Sequence, residues 1–458
     1  MSFARWRAGG REAAVIGLGR SGLAAALVLR REGIPVYASD LAADPAHPVA
    51  ADDVRRLTAA GVEVELGRHD LARIARAGVV VVSPGVPPGA PPLRAAREAG
   101  VPVVSEVDVG YHALPGARFA VITGTNGKTT TTALAGHLLQ AAGLCAVTAG
   151  NIGRALAQVA LDGERPAWVA LEISSFQLHD THDLVPAVGA CTNLAPDHLD
   201  RYATLEDYYA DKDRLYRNAG PDSAWVTNAD DAELERRTRQ VPGTHLRFST
   251  ARRADAWYDR AGRRLMLGDT ALLPRDALGL LGDHNVANAL CAALVARQAG
   301  AGPEPIAQGL RSFRPLPHRL EPVGEVGGVL WINDSKATNV ASTLVAVEAM
   351  ERPFVLLLGG RHKGEPYTAL APAAGDRCRA VVAFGESREL VERDLAGRLR
   401  VVKLGTDFGE VVAAARRLAR PGDAVLLSPA CSSYDMFENY EDRGAQFRAA
   451  VEALRGRG

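Results

Sequence analysis

The chain has 458 residues, with 53 Lys plus Arg against 53 Asp plus Glu, so its formal net charge is zero. At 47% hydrophobic and 23% charged it can bury sizeable cores, which excludes a disordered or fibrous chain. The balanced charge argues against nucleic acid as the main partner.

At about 150 residues per domain the length points to three domains. The five Cys, at 145, 191, 291, 378 and 431, form no C-x-x-C pair, and their number is odd. No disulfide framework or structural zinc site is therefore expected, and the expected compartment is reducing cytoplasm. No apolar run approaches ~18 residues, so no membrane-spanning helix is expected. The N-terminal arginines lead into Ala13-Ala14-Val15-Ile16, which Gly17 and Gly19 cut short; this reads as a first strand rather than a signal peptide. Only five of the 53 basic residues are Lys: Lys128, Lys212, Lys336, Lys363 and Lys403. In so Arg-rich a chain, a Lys hints that a compact ammonium, or its neutral amine, is required.

Taken in order, 13–19 reads as a buried strand, 20–32 as a helix, and 35–40, 79–83 and 101–106 as further strands. This alternation implies a parallel sheet with helices on its faces. A new unit opens near 118, with a strand at 119–123, a Gly-containing loop, and a helix over 129–142. Strands are expected at 167–173 and 187–193, and a small antiparallel patch over 245–275. The Pro-rich stretch 313–318 reads as a linker and hinge region. Strands then recur at 328–333, 353–358, 379–384, 400–404 and 423–428. The expected picture is three α/β domains in series.

Gly17-Leu18-Gly19-Arg20-Ser21-Gly22 lies between a strand and a helix, with Asp40 about twenty residues on. Its glycines allow a tight turn and close approach of a pyrophosphate to the helix N-terminus. Alone, the pattern leaves open a dinucleotide, another phosphate-bearing ligand or a structural turn. Gly124-Thr125-Asn126-Gly127-Lys128-Thr129-Thr130 follows the 119–123 strand and reads as a P-loop. Its backbone N–H groups would cradle phosphates, Lys128 would meet the β/γ-phosphates, and Thr129 can bind Mg²⁺. It is shorter than G-x-x-x-x-G-K-[ST], because Ile122 holds the first Gly position.

Glu172 ends an apolar strand-like run, where a carboxylate is costly unless ion-paired or bound to metal. It reads as a Mg²⁺ ligand or as half of a buried ion pair with Arg. His198, between Asp197 and Asp200, is a candidate second-metal ligand or a capping or core residue. Lys212, within Asp211-Lys212-Asp213-Arg214, reads either as part of a solvated charged face or as a neutral amine able to capture CO₂. The resulting carbamate oxygens would suit Mg²⁺. In the last third, Asp334–Asn339, Gly359–Lys363 and Ser428–Asp435 each follow a strand, where open α/β sheets bind ligands. Two lysines and several hydroxyls there suggest an anionic substrate, with helix capping as the plain alternative for Ser335 and Ser432.

These residues resemble the Mur ligase family, ATP-dependent amide-bond ligases of peptidoglycan assembly. The short P-loop is the family form, and the resemblance spans essentially the whole chain in three-domain order. Asp334–Asn339, Leu427 through Phe437, and Asp197–Tyr202 resemble the D-glutamate-adding branch. The D-N-P-R signature of the diaminopimelate- or lysine-adding branch is absent. Alanine-adding members usually carry His where Asn126 stands, and folate-polyglutamylating cousins lack the first domain.

The resemblance implies an α/β fold of three domains: Rossmann-like 1–105 for the UDP-substrate, P-loop 106–314 for ATP with a mostly parallel sheet, and Rossmann-like 315–458 for the amino acid. It implies addition of D-glutamate to UDP-N-acetylmuramoyl-L-alanine through an acyl phosphate, using ATP and two Mg²⁺. The setting would be cytoplasmic peptidoglycan precursor synthesis, hence cell wall biogenesis, shape and division. The expected state is a monomer, with no nucleic acid and no membrane insertion.

Gly19, Arg20, Ser21, Asp40 and Ser83 would lie near the uridine diphosphate, and Asn151, Ser174 and His198 near the sugar-linked substrate. The P-loop residues Gly124 through Thr130, with Asn285, Asn288, Arg319 and Asp334, would serve ATP. Thr129, Glu172, His198 and carbamylated Lys212 would hold metal, and Lys128, Glu172, His198 and Lys212 form the catalytic set. Lys336, Thr338, Lys363, Ser433, Tyr434 and Tyr440 would line the D-glutamate pocket, where family members often have Leu and Phe at the last two positions. The first motif alone also fits a nicotinamide-dependent dehydrogenase, but hydride transfer needs no P-loop. A non-catalytic nucleotide-binding regulator is the other competing reading.

Overall fold

The computed structural model describes residues 3–8, 10–41, 49–197 and 201–456. The first sheet joins β1 (Ala13–Ile16), β2 (Val36–Asp40), β3 (Glu63–Leu66), β4 (Val79–Val82) and β5 (Val103–Ser105), all parallel, in the order β3-β2-β1-β4-β5. Every residue of β1 and β4 is buried, as expected for strands covered on both faces. The strand order reverses between β1 and β4, which makes a crevice at their C-terminal ends.

The second sheet contains β6 (Arg118–Thr123), β7 (Ala146–Gly150), β8 (Trp168–Glu172), β9 (Val188–Cys191), β10 (Ala224–Asn228), β11 (Thr244–Ser249), β12 (Ala256–Asp259), β13 (Arg264–Leu267) and β14 (Thr270–Pro274). Its order is β14-β13-β12-β11-β10-β9-β6-β8-β7. The stretch expected as a small antiparallel patch over 245–275 is antiparallel from β12 to β14, and it forms an extension of this sheet. β11 lies parallel to both β10 and β12, and only the β12-β13-β14 meander is antiparallel. A local pattern of short alternating strands does not reveal which edge they join.

The third sheet contains β15 (Glu321–Val326), β16 (Val329–Asn333), β17 (Phe354–Gly359), β18 (Cys378–Phe384), β19 (Val401–Lys403) and β20 (Ala424–Leu427), in the order β15-β16-β20-β17-β18-β19. Only the β15–β16 pair is antiparallel. β3, β7, β10 and β15 are strands that sequence reading did not single out. Lys403 is not a bare strand lysine: its Nζ pairs with Glu389 at 2.8 Å and Glu392 at 2.7 Å.

By contacts the chain forms two compact units, Met1–Ala277 with Ala287–Ser312, and Leu278–Val286 with Phe313–Gly458. The first unit holds two sheets because they share one core, including Leu29, Val107, Leu156 and Val169. The helix Glu106–Ala113 joins the two halves. A Cβ at Gly110 would stand 2.6 Å from Leu156 Cγ, so only glycine allows this approach.

Glu106 lies fully within that junction. Its Oε1 accepts the Ala157 N–H at 2.5 Å, while Oε2 is buried without a partner among the described residues. Burial, opposed by the N–H groups of Ala157 and Leu156, raises its carboxyl from 4.5 to about 7. The folded state therefore favours the protonated form. This contribution to stability is complete below pH 4.5 and is lost as pH rises through about 7. The gap corresponds to roughly 3 kcal/mol. Glu106→Gln is accordingly expected to gain stability over the parent between pH 5 and 8, by about 1–3 kcal/mol at the upper end. Urea midpoints across that range check this, and parallel pH profiles for the two proteins would contradict it.

Candidate active site

A cavity of about 520 Å³ opens at the C-terminal ends of β1, β2 and β4, lined by Gly17, Gly19, Arg20, Ser21, Asp40 and Ser83 among others. All five first-domain residues expected at the uridine diphosphate thus share one wall. Two of them build the loop itself. Asp40 Oδ2 accepts the Leu18 N–H at 2.6 Å, and Ser83 Oγ donates to the Gly17 carbonyl at 2.7 Å. A Cβ at Gly22 would sit 1.8 Å from the Gly17 oxygen, so the helix Arg20–Arg31 packs directly on the turn. Arg20 Nη1 reaches the Gly153 carbonyl at 3.3 Å, linking this crevice to the Asn151 loop.

The P-loop leaves the end of β6 and enters the helix Lys128–Ala141 through Gly127, whose φ is 81°. A Cβ there would meet Asn288 Oδ1 at 2.2 Å, and one at Gly124 would meet Thr192 Oγ1 at 2.0 Å. Both glycines are required by close neighbours as well as by conformation. Thr125 Oγ1 donates to Ala195 O at 3.1 Å, and the Asn126 N–H donates to Asn193 Oδ1 at 2.9 Å. Thr129 and Thr130 stand in the first helical turn, at its positive end. Asn288 accepts from Thr131 Oγ1 at 3.2 Å, and Asn285 Nδ2 donates to Leu281 O at 2.8 Å.

Lys128 and Lys212 converge on one oxygen. Lys128 Nζ donates to Gly124 O at 2.9 Å and Thr125 O at 2.7 Å, while Lys212 Nζ donates to Gly124 O at 2.7 Å. Lys212 is only 2% exposed, so the solvated-face reading does not hold. Its Nζ also lies 4.6 Å from the Tyr208 ring centroid. Burial, and then the Lys128 charge, pushes the Lys212 ammonium from 10.5 down to about 7. A substantial fraction is therefore neutral amine near pH 7.

Glu172 is buried at the end of β8. Oε1 accepts from Asn151 Nδ2 at 2.9 Å, and Oε2 is buried without a partner among the described residues. Its neighbour is thus an amide, not the arginine of the ion-pair reading. Ser174 forms a capping box with Gln177 at the helix Ser175–His179. His198 lies outside the described residues, and so do its neighbours Leu199 and Asp200.

In the second unit, Asp334 Oδ1 accepts the Leu320 N–H at 3.1 Å and Oδ2 accepts from Ser428 Oγ at 2.8 Å. It thereby braces the turn carrying Arg319, whose neighbours His318 and Leu320 have φ of 64° and 42°. Burial raises the Asp334 carboxyl to about 7. Lys336 Nζ donates to Tyr440 Oη at 3.1 Å, and Lys363 Nζ to Thr338 Oγ1 at 3.3 Å. Ser433 is buried and Tyr434 is 57% exposed. The six residues expected at the amino-acid pocket therefore include two bonded pairs, Lys336–Tyr440 and Lys363–Thr338.

Three family models match the chain: a Mur ligase MurD-like N-terminal domain over residues 11–105, a Mur ligase middle domain over 122–296, and a Mur ligase glutamate ligase domain over 318–431. UDP-N-acetylmuramoylalanine--D-glutamate ligase of Acidobacterium capsulatum is 41% identical over 453 residues, covering 98% of this chain and 97% of the relative. The chain belongs to the Mur ligase family. A relative of the same name from Myxococcus xanthus is 40% identical, with 97% of this chain and 99% of the relative covered. Among solved structures, UDP-N-acetylmuramate-alanine ligase MurC from Thermotoga maritima matches with a TM-score of 0.61 at 18% identity, over 97% of this chain and 99% of that one. That likeness shows a shared fold.

Within this Mur ligase, sequence reading missed several residues that build the site. Thr192 Oγ1 donates to Asn126 O at 2.5 Å, and Asn193 both accepts from and donates to the Asn126 backbone. Their signal was a polar pair directly after the apolar strand β9. Arg443 is fully buried and ties two loops together: Nε to Ser335 Oγ at 2.9 Å, Nη2 to Ser335 O at 2.7 Å, and Nη1 to Cys431 O at 3.1 Å. It was one arginine among 48, in no motif. Cys431 is a buried thiol against Tyr367 Oη at 3.0 Å, and burial raises its pKa, which suits packing rather than nucleophilic attack.

No group of three His, Cys, Asp or Glu side chains among the described residues is arranged to hold a metal. The orphaned Glu172 oxygen nonetheless suits a hard cation, which takes oxygen donors. A hydroxyl at Thr129 and a carbamate on Lys212 would add donors of the same kind.

Proposed function

We propose that the chain is an ATP-dependent ligase that joins D-glutamate to UDP-N-acetylmuramoyl-L-alanine, releasing ADP and phosphate. The observation carrying the reaction class is the meeting of Lys128 and buried Lys212 on the Gly124 carbonyl of a P-loop. The choice of substrates is supported by the names of the near-full-length relatives.

In this reading 1–105 takes the UDP end of the substrate, 106–314 takes ATP, and 315–458 takes D-glutamate. Gly19, Arg20, Ser21, Asp40 and Ser83 hold the uridine diphosphate, while Asn151, Ser174 and His198 meet the sugar-linked part. Asn285, Asn288, Arg319 and Asp334 serve the nucleotide with the P-loop. Lys336, Thr338, Lys363, Ser433, Tyr434 and Tyr440 receive the amino acid, whose carboxylates suit two ammonium groups.

A carboxylate does not react readily with an amine, so the L-alanine carboxylate is first phosphorylated by ATP. Lys128 and the helix N-terminus behind it neutralise charge that builds on the transferring phosphoryl group. The D-glutamate amine then attacks the acyl phosphate through a tetrahedral intermediate that expels phosphate. Thr129, Glu172, His198 and a carbamylated Lys212 would hold two Mg²⁺ ions, which would supply charge neutralisation for phosphoryl transfer. We read the protein as a cytoplasmic monomer acting in peptidoglycan precursor synthesis. Among the described residues, no helix is long and apolar enough to cross a membrane.

The deciding experiment measures phosphate release with ATP, Mg²⁺ and UDP-N-acetylmuramoyl-L-alanine, comparing D-glutamate, L-glutamate, L-alanine, L-lysine and diaminopimelate. Release only with D-glutamate, with a product heavier by one glutamate less water, is expected. Release with another acceptor would keep the chemistry and overturn the amino-acid pocket. Release with none would overturn the ligase reading.

A further inference from the structure

Tyr367 meets both of the strand-end loops that carry Lys363 and Ser433, and no sequence motif singles it out. It is completely buried, in the core it shares with Leu356, Leu370, Val391 and Leu395. Its N–H donates to Asp394 Oδ2 at 3.0 Å, which anchors its backbone to the helix Arg388–Leu395. From this base the ring delivers one hydroxyl to two loops. Oη lies 2.8 Å from His362 Nδ1, in the loop after β17, and 3.0 Å from Cys431 Sγ, in the loop after β20. A phenol has one proton and two lone pairs, so it can donate to one neighbour while accepting from the other. Burial raises both the Tyr367 phenol and the Cys431 thiol, so each keeps its proton for these bonds. Ser387 Oγ, after β18, adds a contact to the same sulfur at 3.5 Å.

The two loops also meet through their backbones. The Arg361 N–H donates to Ser432 O at 2.9 Å, and the Ser432 N–H returns to Arg361 O at 3.1 Å. A Cβ at Gly360 would stand 2.3 Å from Ser432 O, so this approach needs glycine. Ala430, just before Cys431, has a φ of 55°. A residue with a Cβ keeps that conformation only where its surroundings enforce it. Lys363 directly follows His362, and Ser433 lies two residues past Cys431. The Tyr367 hydroxyl therefore ties together the roots of an ammonium on one loop and a hydroxyl on the other.

We propose that Tyr367 is a positioning residue for the acceptor amino acid: its hydroxyl staples the loop after β17 to the loop after β20, and so fixes the separation of Lys363 and Ser433. This rests on reading those residues as part of the D-glutamate pocket, and Tyr367 itself touches no substrate. The separation matters because the acceptor is short and bears two carboxylates. Charge-assisted hydrogen bonds to them are directional, and a shift of about 1 Å is enough to weaken them strongly.

The test compares wild type, Tyr367→Phe, His362→Ala and the double variant in the full chain, by steady-state kinetics on each substrate and by amide hydrogen exchange. Tyr367→Phe keeps the buried ring and removes one oxygen. It is expected to raise KM for D-glutamate about tenfold, with kcat and the KM values for ATP and the UDP-substrate within about twofold of wild type. The Arg361 and Ser432 amides should exchange about tenfold faster. His362→Ala, at a half-buried position, removes one end of the staple without opening the core and should raise the same KM about threefold. The double variant should be no worse than Tyr367→Phe, because both changes break one staple. His362→Ala carries the kinetic test if Tyr367→Phe does not fold. An unchanged KM for D-glutamate in an active variant would overturn the proposal. So would equal rises in all three KM values, the mark of a general packing role. A wild type that does not use D-glutamate would overturn the pocket reading and the proposal with it, a result distinct from an unchanged KM in an active variant.

Discussion

Lys128→Ala is expected to abolish ligation, with a fall in kcat of at least about 10³-fold, the scale seen when a phosphate-clamping cation is removed. The ammonium is already folded over the loop, bonded to the carbonyls of Gly124 and Thr125, so it is positioned where charge would build. Affinity for UDP-N-acetylmuramoyl-L-alanine should change less than about threefold, because the first-sheet cavity is built from other elements. Phosphate-release kinetics and direct titration of the UDP-substrate read the two effects separately. Turnover close to wild type would remove Lys128 from phosphoryl transfer.

Lys212→Ala is expected to be the second large loss, about 10²-fold or more, partly restored by acetate or another short carboxylic acid. Capture of CO₂ joins the neutral amine nitrogen to the carbon of CO₂ and releases the amine proton. The restored carboxylate would stand in for that carbamate. The ammonium pKa, lowered to about 7, makes the reactive form available at neutral pH. Wild-type activity should therefore fall as pH drops below about 7 and recover in part with added bicarbonate.

The stability consequence has the opposite sign from that of a salt-bridged lysine. A depressed lysine pKa penalises the folded state at pH below about 7, and the penalty disappears as pH rises toward 10.5. Lys212→Met should therefore be at least as stable as the parent at pH 6 while remaining inactive, as followed by urea midpoints and turnover. Unchanged activity in unsupplemented Lys212→Ala would return this residue to a packing role.

The two glycine-rich turns were legible in the sequence because their constraints are local. Gly127 must take a positive φ where a strand hands over to a helix, and Lys128 follows it in the chain. Asp40 and Ser83 were legible as strand-end residues, although their bonds go to the loop backbone at Leu18 and Gly17. Of the five scarce lysines, Lys128, Lys336 and Lys363 lie in strand-end or helix-start motifs, Lys212 is buried in the last turn of the helix Leu205–Asp213, and Lys403 forms a surface ion-pair cluster.

What the sequence by itself determined was three successive α/β sheets, the P-loop, the first-sheet crevice and family membership. Only the tertiary structure decided the environment of Lys212, the burial of the Glu172 carboxylate against Asn151, the buried brace made by Arg443, and the way β11 and β12 extend the central sheet. The reason is physical. Turn conformation and helix starts depend on neighbours a few residues away, which a sequence displays. Desolvation, orphaned polar atoms and edge pairing depend on residues such as Gly124 and Lys212, 88 positions apart, which only packing brings together.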